Sequence, residues 1–121
     1  MNLKIDFSGI VFVVELKDTE TARAILSKTP FESKAQTWGE EVYFTTPAKA
    51  KLEPDARQIV EPGTVCFWTE GDALALPYGR TPISTDLRPK LANPCNVLGK
   101  IKDFSLLKNV KAGDKITVTK S

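Results

Sequence analysis

Histidine is absent from this sequence of 121 residues, and its absence excludes several kinds of active site. No serine or cysteine nucleophile can be activated by histidine, no zinc ion can be held by it, and no histidine can act as a general acid or base. The two cysteines, Cys66 and Cys95, cannot complete a structural zinc site unless carboxylates or a second chain contribute. We therefore expect neither a bound metal nor another cofactor.

The sequence also lacks a glycine-rich phosphate loop, a run of basic residues and any apolar stretch near the ~20 residues that cross a bilayer. The net charge of +2, with scattered lysines, argues against a nucleic-acid partner. The first six residues alternate polar and apolar types, unlike a signal peptide. We expect a cytoplasmic protein without membrane contact, in which both cysteines are free thiols, Cys66 buried and Cys95 more exposed. No feature of the sequence defines an oligomeric state.

Short apolar runs separated by turn residues make up most of the chain and predict a mainly β protein. We expect a hairpin around Ser8-Gly9, with a largely buried second strand over Ile10–Leu16, and a helix over Thr19–Ser27. Further strands are expected near residues 32–37, 42–46, 65–68, 73–76, 96–101 and 116–119. About eight strands and one or two short helices indicate a barrel or a sandwich within one domain, residues 1–121.

The stretch from Glu61 to Ser84 carries the residues best suited to a binding site. Two apolar strands form a hairpin around residues 69–72, and the loop Pro77–Pro82 that follows contains an aromatic residue, a glycine, a cation and two prolines. A loop on a rigid scaffold is a usual place for binding residues, so we expect this loop to border the principal cleft, with an aromatic wall from a neighbouring strand or turn. The candidate ligand-binding residues are Trp38, Phe44, Tyr78, Arg80 and Thr81.

Each candidate also has a purely structural interpretation. Aromatic residues on the strands of a small barrel, Trp68 included, are usually part of its core. Arg80 is also interpreted as a solvated surface cation, and Thr81 as a residue that caps the turn around Pro82. Glu40-Glu41 is expected to form an exposed turn, and nothing in the sequence indicates a second carboxylate that would face it for acid–base chemistry.

Three sets of residues resemble the prokaryotic single-domain cyclophilin-like family. The segment Gln36–Phe44 is similar to that family's TWGDEIYF segment. Its central pattern, G-x-V-x-[FY]-W … G-[DN] … [FY]-G-x-T-P-x-S, resembles Gly63–Trp68, Gly71-Asp72 and Tyr78–Ser84, and its C-terminal pattern, V-x-G-[KR]-[IV] … G-D, resembles Val97–Ile101 and Gly113-Asp114. The resemblance covers essentially the whole chain and implies a closed eight-stranded cyclophilin-like β-barrel with flanking helices.

The resemblance implies the fold more than the activity. Cyclophilins bind a proline-containing peptide in an apolar pocket beside a catalytic arginine, which lies in a Phe-His-Arg segment, with a Gln-Gly-Gly stretch soon after. This chain has no arginine in residues 42–46, no Gln-Gly-Gly and no histidine. We therefore expect a binding domain whose cleft takes a peptide or a small apolar ligand near Tyr78 and Arg80, with prolyl isomerase activity weak or absent.

Two other functions stay open on the sequence. One is a peptidyl-prolyl isomerase with a rearranged active site, for which Arg80 is the only candidate catalytic residue. The other is a domain used for self-association or for contact with an enzyme partner. An apolar cleft beside an arginine would favour ligand binding or isomerisation, whereas a flat apolar patch would favour association.

Overall fold

The computed structural model describes residues 1–121, which form ten β-strands, one α-helix and one 3₁₀ helix. The strands are β1 (Asn2–Phe7), β2 (Ile10–Glu15), β3 (Phe31–Lys34), β4 (Gln36–Thr37), β5 (Glu41–Thr45), β6 (Arg57–Ile59), β7 (Thr64–Trp68), β8 (Ala73–Pro77), β9 (Lys90–Lys100) and β10 (Lys115–Lys120). The helix α1 spans Glu20–Ser27, and the 3₁₀ helix spans Phe104–Asn109. The protein is therefore mainly β with two short helices, as the sequence predicts.

The strands form two antiparallel sheets rather than one closed barrel. The first sheet has the order β2-β1-β10-β3, and the second has the order β4-β5-β8-β7-β9-β6. Neither sheet closes on itself, so the predicted closed barrel is not confirmed, and the strands number ten rather than about eight. Alternation of apolar residues predicts which face of a strand is buried, but it does not determine which edge strands exchange hydrogen bonds.

The two sheets pack face to face around one main hydrophobic core. At its centre Phe7 contacts Phe12 and Phe44 edge to face, with ring centroids 5.9 Å apart in both pairs. The sheets approach closely at Gly99 of β9, where an added Cβ would lie 2.5 Å from the carbonyl oxygen of Glu15. Beside it the Lys17 amide donates a hydrogen bond to the Leu98 carbonyl, 2.8 Å away. Backbone contact therefore joins the sheets at this edge without a continuous ladder.

The predicted first hairpin and helix are present. Thr19 caps α1, because its side-chain oxygen accepts a hydrogen bond from the amide of Ala22. The strand β2 is less buried than its apolar sequence suggests, since Val11 and Val13 are 44% and 51% exposed. Only alternate residues of β2 face the main core, and nothing covers the other face of this outer strand completely.

The strand β9 is longer than the predicted strand at residues 96–101. Its first half pairs with β6, with Arg57 opposite Cys95 and Ile59 opposite Lys90 and an irregularity between them. Pro94 lies inside this half, and a proline is tolerated in a strand where the ladder is irregular. This first half of β9 covers the second sheet on the face turned away from the main core, which is where the candidate site lies.

Candidate functional site

A cavity of about 270 Å³ opens on the outer face of the six-stranded sheet. Alternation along β5 and β8 divides the side chains of this sheet. Val42, Phe44, Leu74 and Leu76 belong to the main core, and Tyr43 and Ala75 belong to a smaller cluster on the opposite face. The residues that line the cavity are Trp38, Glu41, Tyr43, Trp68, Ala75, Leu91, Ala92 and Cys95.

Two of the aromatic walls are held in place by contacts of their own. Tyr43 and Trp68 meet edge to face, with ring centroids 6.4 Å apart and planes at 90°. The Tyr43 hydroxyl donates to Oε1 of Gln36 at 3.1 Å, and the Trp68 Nε1 donates to Oδ1 of Asn93 at 3.1 Å. The Trp68 ring also lies against the backbone of Gly71, where an added Cβ would be 2.4 Å from it. The polar atoms of both rings are therefore already satisfied.

Glu41 is the one ionisable carboxyl side chain that lines the cavity. It is the first residue of β5 and is only 6% exposed, so the predicted exposed turn at Glu40-Glu41 is wrong for its second residue. Its Oε1 is buried and has no hydrogen-bond partner. Burial without a compensating cation raises the pKa of this carboxyl from 4.5 to about 7.

Both cysteines are free and buried, which corrects the expectation of a more exposed Cys95. Cys95 is covered because the first half of β9 is a strand and not an open proline-rich loop. Burial, with the negative charge of Glu41 adding to it, raises the pKa of the Cys95 thiol to about 12. Burial likewise raises the pKa of the Cys66 thiol. Neither sulfur is thus a thiolate near neutral pH, and the site contains no activated nucleophile.

The loop that carries Tyr78 and Arg80 holds the turn that carries Trp38 and Glu41. The amide of Glu40 donates to the Arg80 carbonyl at 2.8 Å, and the amide of Tyr78 donates to the Glu40 carbonyl at 2.8 Å. The Arg80 amide also donates to Oε1 of Glu40 at 3.2 Å. These bonds involve the backbone of the loop, whose side chains do not line the cavity.

Gly39 makes this close contact possible. Its φ of +58° is a conformation that favours glycine. A Cβ at this position would lie 2.8 Å from Cδ of Pro82 and 3.0 Å from the Arg80 carbonyl oxygen. The glycine is therefore required both by the turn and by the loop packed on it.

The structure brings one of the five predicted ligand-binding residues, Trp38, to the cavity. Phe44 is fully buried in the main core, and Tyr78 is half-buried against that core. Arg80 is exposed, and its guanidinium donates to the Ser84 carbonyl at 3.3 Å. Thr81 is buried, and its hydroxyl donates to the Lys90 carbonyl at 2.5 Å, which is a structural contact.

Sequence reasoning missed most of the cavity. The sequence allows Tyr43 and Trp68 at a ligand pocket but favours a core position for both, and it predicts an exposed turn for Glu41. One signal could have identified them, because Glu41 and Tyr43 are two residues apart and so lie on the same face of a strand. That face is opposite to the one formed by Val42 and Phe44.

The fold and the cavity together define the class of protein: a small protein of two packed antiparallel sheets, with an aromatic cavity on the outer face of one sheet. The cyclophilin-like family model matches residues 1–119. The chain belongs to the cyclophilin-like family, as its sequence motifs suggest.

The solved structures similar to this chain include two that each match nearly all of it. The hypothetical protein AF2241 from Archaeoglobus fulgidus is 37% identical, with a TM-score of 0.86 over 100% of this chain and 95% of that chain. McbB, solved in complex with tryptophan, is 16% identical, with a TM-score of 0.71 over 98% of this chain and 44% of that chain. The likeness to McbB shows the fold alone, and this chain spans less than half of its length. No curated protein matches the chain.

Neither helix of the structure has the length and apolar character that a membrane span requires.

Proposed function

We propose that this cyclophilin-like domain binds a compact, largely apolar ligand in the cavity between Trp38, Tyr43 and Trp68. The observation that carries the proposal is a concave apolar site with three aromatic walls and one buried, unpaired carboxyl at Glu41. An apolar pocket with a few polar groups is the usual form of a small-molecule site. Protein interiors have few voids and pair their buried polar groups, so a space lined by an unpaired carboxyl favours a binding role over a purely structural one.

The size of the cavity favours a small ligand over an extended peptide. Its volume of about 270 Å³ is just below the range of roughly 300–1,000 Å³ that is common for ligand pockets. A single ring with a short substituent would fill much of this space. The loop at Tyr78 and Arg80 then supports the site from outside, through its backbone bonds to Glu40, and does not contact the ligand.

The isomerase alternative has less support. Prolyl isomerisation is accelerated by a hydrogen-bond donor aimed at the prolyl nitrogen beside an apolar pocket. Arg80 is the only candidate arginine for this role, and its guanidinium donates to the Ser84 carbonyl outside the cavity. We therefore keep ligand binding as the leading proposal and isomerisation as the second.

The chain offers a direct reporter for this proposal, because its only two tryptophans, Trp38 and Trp68, both line the cavity. We would titrate the protein with a panel of neutral aromatic fragments, 2-phenylethanol among them, and follow tryptophan fluorescence. Amide shifts in an NMR titration would locate the bound fragment. Binding should quench or shift the fluorescence and move the amide signals of β5 and of the first half of β9.

A matched pair of variants separates the cavity from the rest of the surface. Ala92 and Ala112 are both exposed, but only Ala92 lines the cavity. Ala92→Phe should weaken binding of every fragment by obstructing the site, whereas Ala112→Phe should leave binding unchanged. Equal effects of the two substitutions, or fragment shifts confined to other surfaces, would contradict the proposal.

A further inference from the structure

We infer that the ligand of this cavity carries a protonated amine, which the carboxylate of Glu41 binds while the aromatic walls enclose the rest. This inference rests on the proposed function and adds the chemical class of the ligand. It makes the natural ligand a small organic amine with an apolar ring or chain. The cavity provides no partner for its single carboxyl, that of Glu41.

The unpaired carboxyl distinguishes this cavity from an ordinary gap in an apolar cluster. Buried side-chain polar atoms nearly always have a hydrogen-bond partner. In this structure Oε1 of Glu41 is the one buried side-chain nitrogen or oxygen atom without a hydrogen-bond partner. None of the four ion pairs in the structure includes Glu41. The polar atoms of Tyr43 and Trp68 already bond to Gln36 and Asn93, so they cannot turn to Glu41 without losing those bonds.

No neighbouring group supplies the missing positive charge. The strands on either side of β5 are β4 and β8, and neither carries an ionisable side chain. The thiol of Cys95 lines the cavity but stays neutral, because burial raises its pKa to about 12. The other ionisable side chains whose charges act on the two cysteines of this cluster are Glu70, Arg57 and Lys17, and the two cations among them, Arg57 and Lys17, are exposed and do not line the cavity. The cation must therefore come with the ligand.

The aromatic walls favour the same chemistry. A cation beside the faces of tryptophan and tyrosine rings is attracted by their quadrupoles, and the attraction is stronger where water is excluded. Trp38, Tyr43 and Trp68 line the cavity together with the carboxyl. An anionic ligand would instead be repelled by Glu41 and would lose its hydration without compensation. Among ionised ligands, the site selects the cation.

Binding of an amine should be linked to the ionisation of Glu41. The cation binds the carboxylate form, and with a pKa of about 7 that form is scarce at pH 6 and predominant at pH 8. The apparent affinity equals the affinity of the carboxylate form multiplied by the fraction of the protein in that form. Because a simple alkylamine stays protonated over this range, as lysine does, its affinity should rise about tenfold from pH 6 to pH 8.

The test compares two ligands of nearly the same shape, 2-phenylethylamine and 2-phenylethanol, by calorimetry and tryptophan fluorescence at pH 8. The amine should bind the wild-type protein about 10- to 100-fold more tightly than the alcohol, as expected for a hydrogen bond to a charged group. Glu41→Gln, which keeps the size of the side chain but not its charge, should remove this preference, so that the amine and the alcohol bind the variant with similar affinity.

The outcomes separate the inference from the proposed function. If the amine and the alcohol bind equally well, the inference is wrong and the apolar binding site stands. If neither compound binds and no neutral fragment of the panel binds, both are wrong. Should Glu41→Gln fail to fold, the pH profile of the wild-type protein decides. A tenfold rise for the amine without a comparable rise for the alcohol supports the inference, and a flat profile for the amine overturns it.

Discussion

At the scale of single residues, Glu41 is the position where the structure departs furthest from a well-packed protein. A carboxyl that is only 6% exposed and lacks a partner for Oε1 destabilises the folded protein whenever it is ionised. Natural sequences often accept such a cost at a functional position. The adjacent Glu40 has a different environment, since it is exposed and its Oε1 accepts a bond from the Arg80 amide. Neighbouring residues of the same type thus have separate roles.

The ionisation of Glu41 predicts how stability depends on pH. Its pKa is about 7 in the folded protein and 4.5 in the reference state, so the unfolded chain loses this proton first. Its contribution to stability is therefore fully present below pH 4.5, declines as the pH rises to 7, and is lost above it, a difference of about 3 kcal/mol. Urea melts of the wild-type protein and of Glu41→Gln measure this difference.

The stability of Glu41→Gln relative to wild type should rise by about 3 kcal/mol between pH 4 and pH 8. The two proteins differ only at residue 41, so the comparison isolates its carboxyl. Curves that remain parallel across this range would show that the carboxyl is solvated in the folded protein. Addition of a bound amine should reduce the difference, because the ligand stabilises the ionised form.

At the scale of elements, the β4–β5 turn and the Pro77–Pro82 loop act as one unit. Three hydrogen bonds connect them: Glu40 N–H to Arg80 O, Tyr78 N–H to Glu40 O and Arg80 N–H to Glu40 Oε1. The loop that the sequence identifies as a binding loop therefore positions the turn with Trp38 and Glu41. A second polar connection joins the six-stranded sheet to α1. There the buried Asn96 of β9 donates to Thr21 of α1 and to the Lys51 carbonyl, both at 2.9 Å.

Gly39→Ala tests the contact between the turn and the loop. The substitution places a side chain in a positive-φ conformation, which costs about 1–2 kcal/mol, and against Pro82 and the Arg80 carbonyl as well. We expect a loss of stability of about 2–3 kcal/mol, a shifted Trp38 fluorescence and weaker ligand binding. Chemical denaturation and fluorescence titration measure these effects.

Gly113→Ala is the matched control. Gly113 also has a positive φ, +93°, but an added Cβ there would meet nothing within 4 Å. This variant should lose only the conformational cost of about 1–2 kcal/mol and should bind ligand normally. If the two variants lose the same stability and keep the same affinity, the packing of Gly39 on the loop has no influence on the site.

At the scale of the whole molecule, the protein separates its stability from its candidate site. The main core lies between the two sheets, and the cavity lies on the opposite face of the six-stranded sheet. Residues of the cavity can therefore be substituted without opening the main core. The first half of β9 has a particular part in this arrangement, because its residues Leu91, Ala92 and Cys95 complete the cavity.

The position of Arg80 outside the cavity predicts the outcome of an isomerase assay. Absence of one well-aimed donor costs about 100-fold or more in rate, and the exposed Arg80 bonds to Ser84 and does not line the cavity. We expect activity on a short proline peptide that is absent or far below that of a true cyclophilin assayed in parallel by NMR exchange. Arg80→Ala should then change nothing. Robust turnover that is abolished by Arg80→Ala would establish the isomerase function instead.

Local features of the sequence were enough to determine the mainly β class, the first hairpin, the central β7–β8 hairpin and the helix α1, to within one residue of its start at Glu20. These features depend on near neighbours: alternation within a strand, glycine in a turn and a side-chain oxygen at a helix start. The family motifs over the whole chain added the correct family. They also located the segment from Gln36 to Phe44, which includes Trp38 and Glu41 of the cavity.

Tertiary structure alone decided which faces are covered and where the cavity lies. Glu41 is buried because Trp68 of β7 and Leu91 and Cys95 of β9, all distant from it in the chain, line the same cavity face as Glu41. Cys95 is buried because the proline-containing stretch that carries it pairs with β6. Val11 and Val13, by contrast, belong to an apolar strand and yet stay exposed. The two sheets remain separate because no strand of one sheet pairs with a strand of the other. Burial and edge pairing depend on contacts between residues far apart in the chain, whereas alternation within a segment reports only its own two faces.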